Sequence, residues 1–151
     1  MIHNHYDLIS ISVLLYNYDY LMRFLSGQYS YFIMLHFILF FESQLKKYFL
    51  SYDNEWFNRP INAENCGLLN NGGYAGDQCG FPSGHSISTS FYYFLYYFKF
   101  QHKVKDKRYL LILIHIPILL MGYARVMKNC HNIFQVLGGY FFGLFFSFLF
   151  Y

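Results

Sequence analysis

Hydrophobic positions fall into four long segments separated by polar stretches. They cover residues 29–41 with an extension to residue 50, residues 86–98, residues 109–123 and residues 133–151. The last segment contains no charged residue and would reach about 28 Å as a helix, close to the thickness of a bilayer core. The pattern therefore predicts an all-α bundle of membrane-spanning helices rather than a soluble core.

A weaker apolar segment precedes these four. Asp7, Asp19 and Arg23 interrupt residues 1–24, so this stretch is either a half-buried or interfacial helix or a poor first span. Pro117 lies inside the third strong segment, and membrane helices tolerate proline with a kink. We therefore expect about four to five spans within a single domain that covers residues 1–151.

The last segment also carries a glycine pattern. Gly139 and Gly143 form a small-xxx-small pair, and Gly138 adds to the same face. Small residues at this spacing let two membrane helices approach closely. The glycines therefore predict tight helix packing, and we expect no ligand role for them.

Composition agrees with an integral membrane protein. Hydrophobic residues make up 56% of the chain and charged residues only 13%, whereas soluble domains carry about 25% charged residues. The net charge of +3 is small, and no basic stripe with exposed aromatic residues is present, which argues against nucleic acid as a partner. The sequence leaves the oligomeric state open.

The charged loops predict which ends of the spans face the cytoplasm. The loop 101–108 contains one acidic residue, Asp106, and four lysine or arginine residues, which are Lys103, Lys105, Lys107 and Arg108. By the positive-inside rule this short loop is cytoplasmic. The acidic segment 51–81 then lies on the other face together with Arg125 and His131, in an endoplasmic reticulum-type lumen or at the cell exterior.

Three polar clusters gather on that non-cytoplasmic face. They are Arg59-Pro60, Pro82-Ser83-Gly84-His85, and Arg125 with His131 six residues later. The second cluster precedes an apolar helix, whose N-terminus offers free backbone N–H groups and a positive dipole end to a phosphate. Ser83 adds a hydroxyl donor and His85 a group that transfers protons. An ordinary capped helix start explains these residues equally well.

The third cluster also has two interpretations. Arg125 offers bidentate donors suited to phosphate oxygens, although a lone flanking arginine commonly only extends to the membrane interface. A histidine such as His131 at the start of a span is commonly a hydrogen-bonded interfacial residue rather than a catalyst. The meeting of three such clusters on one face favours the chemical interpretation.

The order and spacing of the clusters resemble the type 2 phosphatidic acid phosphatase (PAP2) superfamily. Its pattern is Lys, six residues, Arg-Pro; then Pro-Ser-Gly-His; then Ser-Arg, five residues, His, three residues, Asp. The matching residues within 45–139 are Arg59-Pro60, Pro82-Ser83-Gly84-His85, Ala124-Arg125 and His131. The resemblance implies a helical membrane bundle that acts on a lipid phosphate.

The sequence departs from the family pattern at three positions. Tyr52 stands at the spacing of the lysine, and the nearest lysines are Lys46 and Lys47. We favour Lys46 in the family role, while interfacial anchoring explains both lysines equally well. Ala124 replaces the serine, and Gln135 replaces the aspartate that orients and charges the histidine. A glutamine can orient a histidine by a hydrogen bond but cannot supply negative charge.

The glutamine has a counterpart in one branch of the family. The last motif resembles that of the dolichyldiphosphatases at Arg125-Val126, His131 and Gln135-Val136-Leu137. This resemblance favours a polyprenyl (dolichyl-type) diphosphate as the substrate, with a phosphatidate-type lipid phosphate as the other candidate.

The resemblance further implies a role for each site residue. His131 would attack phosphorus and form a phosphohistidine, while His85 would protonate the leaving oxygen and then activate water. Arg125 would stabilise the reacting group and Gln135 would orient His131. The other phosphate ligands would be Lys46 or Lys47, Arg59, Ser83 and the Gly84 backbone. The resemblance implies no metal and no other cofactor.

Two other functions fit parts of the sequence. A catalytically inactive relative that binds lipid phosphate or scaffolds partners would explain Gln135, Ala124 and the displaced lysine. The two intact histidines argue against it. A vanadium-dependent haloperoxidase shares the motifs on a soluble helical bundle, which the apolar spans disfavour.

The cysteines allow alternatives. Cys66 and Cys79 share the non-cytoplasmic loop, where an oxidising lumen would permit a disulfide between them. Free buried thiols are an equal alternative. Cys130 receives no role beside His131, because the family pattern leaves that position free.

Overall fold

The computed structural model describes residues 29–52, 54–67, 72–76 and 78–151, so the weak segment 1–24 lies outside the described residues. Within these residues the bundle contains four α-helices: α1 (Tyr29–Phe49), α2 (Gly84–Phe100), α3 (Lys107–Met127) and α4 (Ile133–Leu149). A short 3-10 helix, Gln101–Lys103, follows α2 directly. Each strong apolar segment of the sequence lies in one α-helix, which confirms the all-α prediction.

The segment between α1 and α2 is irregular. Two isolated antiparallel bridges order it, Asn58 with Cys79 and Glu64 with Tyr74, and the described residues contain no β-sheet. The bridges fold the segment back on itself, so that both of its arms lie over one end of the bundle.

Short polar side chains determine where α3 and α4 begin. The Asp106 carboxylate accepts hydrogen bonds from the backbone N–H groups of Arg108 and Tyr109, at 2.9 and 3.3 Å. Asn132 begins α4 in the same way, because its side-chain oxygen accepts from the N–H of Gln135 at 2.9 Å. These are N-cap contacts, which satisfy backbone donors that have no partner inside the helix.

In the described part of the chain, α3 is the one helix both long and apolar enough to cross a membrane. It continues through Pro117, as expected for a membrane helix. Ile112, Ile116 and Leu119 are exposed along α3 and would contact lipid in a bilayer. The apolar helix α4 is shorter, with 17 residues. The number of spans therefore stays a prediction.

The most extensive helix contact joins α2 to α4. A methyl group added at Gly143 would lie 2.5 Å from the carbonyl oxygen of Ile87, and one at Gly139 would lie 2.5 Å from that of Ser83. Only residues without a side chain permit this approach, which confirms the packing role predicted for the glycines. Ile38 is fully buried and packs α1 against this pair.

The starts of α2 and α4 lie side by side. The N–H of Ser83, just before α2, donates to the carbonyl of Gln135 in the first turn of α4 at 3.0 Å. The segment between α1 and α2 covers this end, because the Asn132 amide donates to the carbonyls of Glu55 and Trp56 at 3.2 and 3.3 Å. The basic loop lies at the other ends of α2 and α3, about 25 Å away by helix length.

Candidate active site

The structure brings the three predicted clusters together at this end of the bundle. Arg59 comes from the segment between α1 and α2, and His85 from the first turn of α2. Arg125 lies in the last turn of α3, and His131 lies in the turn before α4. Arg125 is 0% exposed and His131 is 2% exposed, and both arginines act electrostatically on both histidines.

Gln135 determines the orientation of the His131 ring. The amide nitrogen of Gln135 donates to the backbone carbonyls of Asn58 and Trp56, at 2.7 and 3.3 Å. Carbonyls only accept, so the Gln135 oxygen must face the other way, where it lies 3.0 Å from Nδ1 of His131. Nδ1 therefore carries the proton, and the lone pair of a neutral ring is on Nε2.

The surroundings of His131 keep that ring neutral. Burial is the largest cause, and it lowers the pKa of His131 well below the usual range. The positive charges of Arg125, Arg59 and Lys46 lower this pKa further, and the hydrogen bond to Gln135 opposes them. A neutral imidazole with a free lone pair is the form that attacks phosphorus.

Several buried polar atoms of the site have no hydrogen-bond partner in the part of the chain that the structure describes. They are Nε of Arg59, Nε2 of His85, and Nε and Nη1 of Arg125. Nη2 of Arg125, by contrast, donates to the backbone carbonyl of Cys66 at 2.6 Å. Buried polar groups are nearly always paired, so unpaired atoms from three separate segments indicate that a polar ligand completes the site.

Ser83 and Gly84 stand at the N-terminus of α2. Ser83 is fully buried, and its hydroxyl accepts from the Ser86 hydroxyl at 3.1 Å. It makes no side-chain cap to the helix backbone. Ser83 therefore leaves the first N–H groups of α2 uncapped, and an anion is favoured at this positive end of the helix dipole.

The two candidate lysines differ in position. Lys46 forms an ion pair with Glu42, one turn earlier on α1, and its charge acts on His131. Lys47 is exposed, and both lysines line an open depression between α1 and the segment before α2. Tyr52, at the family spacing, is also exposed. The structure thus brings Lys46 toward the histidines.

The structure contradicts the Cys66–Cys79 disulfide and bears out a free buried thiol for Cys79 alone. Cys66 forms a disulfide with Cys130, and Cys79 is a free, buried thiol. The Cα atoms of the bonded pair are 5.5 Å apart, within the range that a disulfide requires. This pairing results from the tertiary fold, because the segment between α1 and α2 lies over the turn before α4 and brings Cys66 to Cys130.

Three further residues contact the site, and the sequence alone did not indicate them. Asn58 provides only its backbone carbonyl to Gln135, which no side-chain motif can reveal. Gly80 leaves room for this contact, since a methyl group there would lie 2.8 Å from Cγ of Arg59 and 2.8 Å from Cδ of Gln135. Glu42 packs against Gly84, and its signal was only the ordinary spacing of four residues from Lys46.

No group of three or more histidine, cysteine, aspartate or glutamate side chains is placed to hold a metal among the residues described. The site is instead a cluster of cations and imidazoles. Such a cluster attracts and orients an anion, and its polar atoms suit the oxygens of a phosphoryl group.

Comparisons with known proteins agree with the fold. The structure is similar to the crystal structure of a transmembrane PAP2-type phosphatidylglycerolphosphate phosphatase from Bacillus subtilis, with a TM-score of 0.67 and 21% sequence identity over 99% of this chain and 73% of that one. No curated protein matches the sequence. The family model described as the PAP2 superfamily matches residues 28–151. The chain therefore belongs to the PAP2 superfamily.

Proposed function

We propose that the chain is a membrane lipid phosphatase that works through a phosphohistidine on His131. Its proposed substrate is a polyprenyl (dolichyl-type) diphosphate or a phosphatidate-type lipid phosphate. The observation that carries the proposal is a set of buried polar atoms of Arg59, His85 and Arg125, beside a neutral His131, that have no partner among the described residues. Membership of the PAP2 superfamily supports the same assignment.

In the first proposed step, Nε2 of His131 attacks the phosphorus of the lipid phosphate. The P–N bond forms as the bond from phosphorus to the leaving oxygen breaks, and His85, which enters the step as imidazolium beside the bound phosphate anion, gives that oxygen a proton and becomes neutral. Gln135 keeps Nδ1 of His131 in place while the ring gains positive charge. Arg59 and Arg125 stabilise the negative oxygens of the phosphoryl group in transit.

In the second step, His85 takes a proton from a water molecule, which attacks the phosphohistidine. The P–N bond breaks, inorganic phosphate leaves, and His131 returns to its neutral form. Both steps use only side chains of this chain, so we expect activity in the presence of EDTA.

The class of lipid substrate and the side of the membrane on which the site lies are parts of the same proposal. Gln135-Val136-Leu137 favours the diphosphate, because this motif resembles that of the dolichyldiphosphatases. The disulfide between Cys66 and Cys130 supports a non-cytoplasmic site, because such bonds persist in oxidising compartments. The basic loop at the opposite end of the bundle agrees with this orientation.

Phosphate release by the purified, detergent-solubilised protein in EDTA tests the proposal. Polyprenyl diphosphate is compared with phosphatidate, and wild type with His131→Ala and His85→Ala. His102→Ala is the matched control, because His102 is exposed on the 3-10 helix far from the site. We expect release by wild type and by the control, and loss in both site variants.

A substrate labelled in its phosphate group tests whether His131 is the histidine that becomes phosphorylated. Rapid quenching should trap an acid-labile, base-stable phosphoprotein in wild type and none in His131→Ala. If a folded wild-type protein releases phosphate from neither lipid, the proposed activity is wrong, and the inactive lipid-binding relative becomes the better explanation.

A further inference from the structure

Glu42 brings a carboxylate into the proposed phosphoryl site, which we define as Lys46, Arg59, Ser83, Gly84, Arg125 and the two histidines. The Glu42 side chain is only 13% exposed, although it lies on α1. An acid beside a site for anions is unexpected, because like charges repel strongly where water is scarce. Its three neighbours explain its position.

The first neighbour is Lys46. Glu42 and Lys46 form an ion pair one helical turn apart, with the acid on the N-terminal side, the more favourable order. Lys46 is the lysine that we assign to the phosphoryl site. In this structure its ammonium group is therefore bound to the Glu42 carboxylate.

The second neighbour is the N-terminus of α2. A methyl group added at Gly84 would lie 2.8 Å from Oε2 of Glu42, so the carboxylate packs directly against the Gly84 backbone. Ser83 does not cap this helix with its side chain. The carboxylate of Glu42 thus stands where the helix dipole favours an anion.

The third neighbour is Arg59. Burial lowers the pKa of Arg59, and the negative charge of Glu42 opposes that shift. Glu42 therefore acts on Lys46, Gly84 and Arg59 together. These are three of the groups that would hold the phosphoryl oxygens of the substrate.

We propose that, before substrate binds, the Glu42 carboxylate occupies the side of the phosphoryl site formed by Lys46 and Gly84, and that a phosphate ligand must displace it. This inference rests on the proposed function, because the site is the same. Binding exchanges one anion for another: Lys46 releases Glu42 and binds a phosphoryl oxygen. No covalent bond changes in this exchange.

The displaced side chain has room to move. A cavity of about 440 Å³ opens beside Glu42 and is lined by polar and apolar residues of α1 and of the segment before α2. These are Ser43, Lys46, Lys47, Leu50, Gln78 and Cys79. Lys47 is exposed at this cavity and offers the moved carboxylate a second cationic partner. After hydrolysis, the return of Glu42 would favour release of inorganic phosphate.

Binding of inorganic phosphate to the purified protein in detergent, followed by calorimetry, tests the inference without turnover. We expect Glu42→Gln to bind phosphate at least about tenfold more tightly than wild type, because a competing charge has been removed. The inhibition constant of inorganic phosphate for lipid hydrolysis should be lower in Glu42→Gln than in wild type by the same factor. Glu55→Gln is the matched control, an exposed acid outside the site that should bind phosphate as wild type does.

Glu42→Leu is the second variant, because leucine also removes the charge and is a strong helix former. Tighter binding in whichever variant folds supports the inference. Unchanged or weaker binding overturns it and assigns Glu42 the role of holding Lys46 in place. If no variant, wild type included, binds phosphate, the phosphoryl site itself is wrong, which is a failure of the proposed function.

Discussion

Nδ1 of His131 lies 3.0 Å from Oε1 of Gln135, and this contact leaves Nε2 of the ring as the nitrogen with a lone pair. The family pattern has an aspartate at this position, which would orient the ring and also supply negative charge. Gln135 keeps the first role and adds another, since its amide nitrogen binds the carbonyls of Asn58 and Trp56. An aspartate has no donor for those carbonyls. Gln135 therefore makes two contacts at this position that an aspartate could not make together.

This dual role predicts that Gln135→Glu destabilises the fold. The new side chain has nearly the same shape, but its second oxygen faces the carbonyls of Asn58 and Trp56 without a proton to donate. Replacing this donor by an oxygen that cannot donate removes both hydrogen bonds and costs about 2 kcal/mol. We expect a lower midpoint of thermal unfolding in detergent. The exposed Gln44 on α1 provides the matched control, and an equal loss in Gln44→Glu would contradict this explanation.

The buried His131 predicts that stability falls in mild acid. Burial lowers the pKa of His131 in the folded state, whereas the unfolded chain has the usual histidine pKa near 6.5. Below that pH the unfolded state binds a proton that the folded state does not, so the free energy of unfolding decreases as pH falls, by about 1.4 kcal/mol per pH unit.

Thermal unfolding of wild type and His131→Gln between pH 7.5 and about 5 measures this effect. The variant should lose part of the pH dependence. His102→Gln, on the exposed 3-10 helix, should keep the wild-type slope. A wild-type slope in His131→Gln would show that the acid sensitivity originates elsewhere.

The helices and the site motifs could be predicted because both are local. Long runs without charge determine each helix, and the polar stop at Asp106 determines where α3 begins. The motif residues Arg59, His85 and Arg125 are recognisable by type and spacing. Each lies where a helix starts or ends, or in the segment that covers that end of the bundle, so the order of the helices is enough to bring them together.

The contacts that complete the site depend on tertiary structure. Gln135 bonds to a backbone carbonyl 77 positions earlier, and Cys66 bonds to a cysteine 64 positions later. Neither partner carries a side-chain signal at a characteristic spacing. The proximity of Cys66 and Cys79 in sequence was misleading, because the antiparallel bridge of Cys79 with Asn58 holds Cys79 in the other arm of the segment.

Arg125 divides its donors between the protein and the proposed phosphate. Nη2 binds the carbonyl of Cys66, while Nε and Nη1 are unpaired within the described residues. Arg125→Lys keeps the charge but has one compact ammonium group, which cannot make both contacts. We expect kcat/KM to fall by about 30- to 100-fold, which corresponds to the loss of one strong charged hydrogen bond.

Phosphate release from the preferred lipid measures this change. Arg108→Lys is the matched control, because Arg108 is exposed at the opposite end of the bundle. Near-wild-type activity in Arg125→Lys would mean that charge alone is needed and that the bond to Cys66 is dispensable.

The disulfide between Cys66 and Cys130 connects the backbone on both sides of the site. Cys66 accepts the hydrogen bond from Arg125, and Cys130 precedes His131 directly. Cys66→Ser should therefore lower stability by about 2–5 kcal/mol, as loss of a bridge across a long loop does. It should also lower kcat, because both site residues lose a fixed neighbour. Thermal unfolding and phosphate release in detergent measure the two effects.

Reduction of the wild-type protein should reproduce both losses, and reduction of Cys66→Ser should add nothing. Cys79→Ser is the control, since Cys79 is a free thiol and its replacement leaves the bridge intact. Peptide mapping without reductant should recover Cys66 linked to Cys130. Recovery of Cys66 linked to Cys79 would contradict the pairing, and a fully reduced protein isolated from cells would argue against a site in an oxidising compartment.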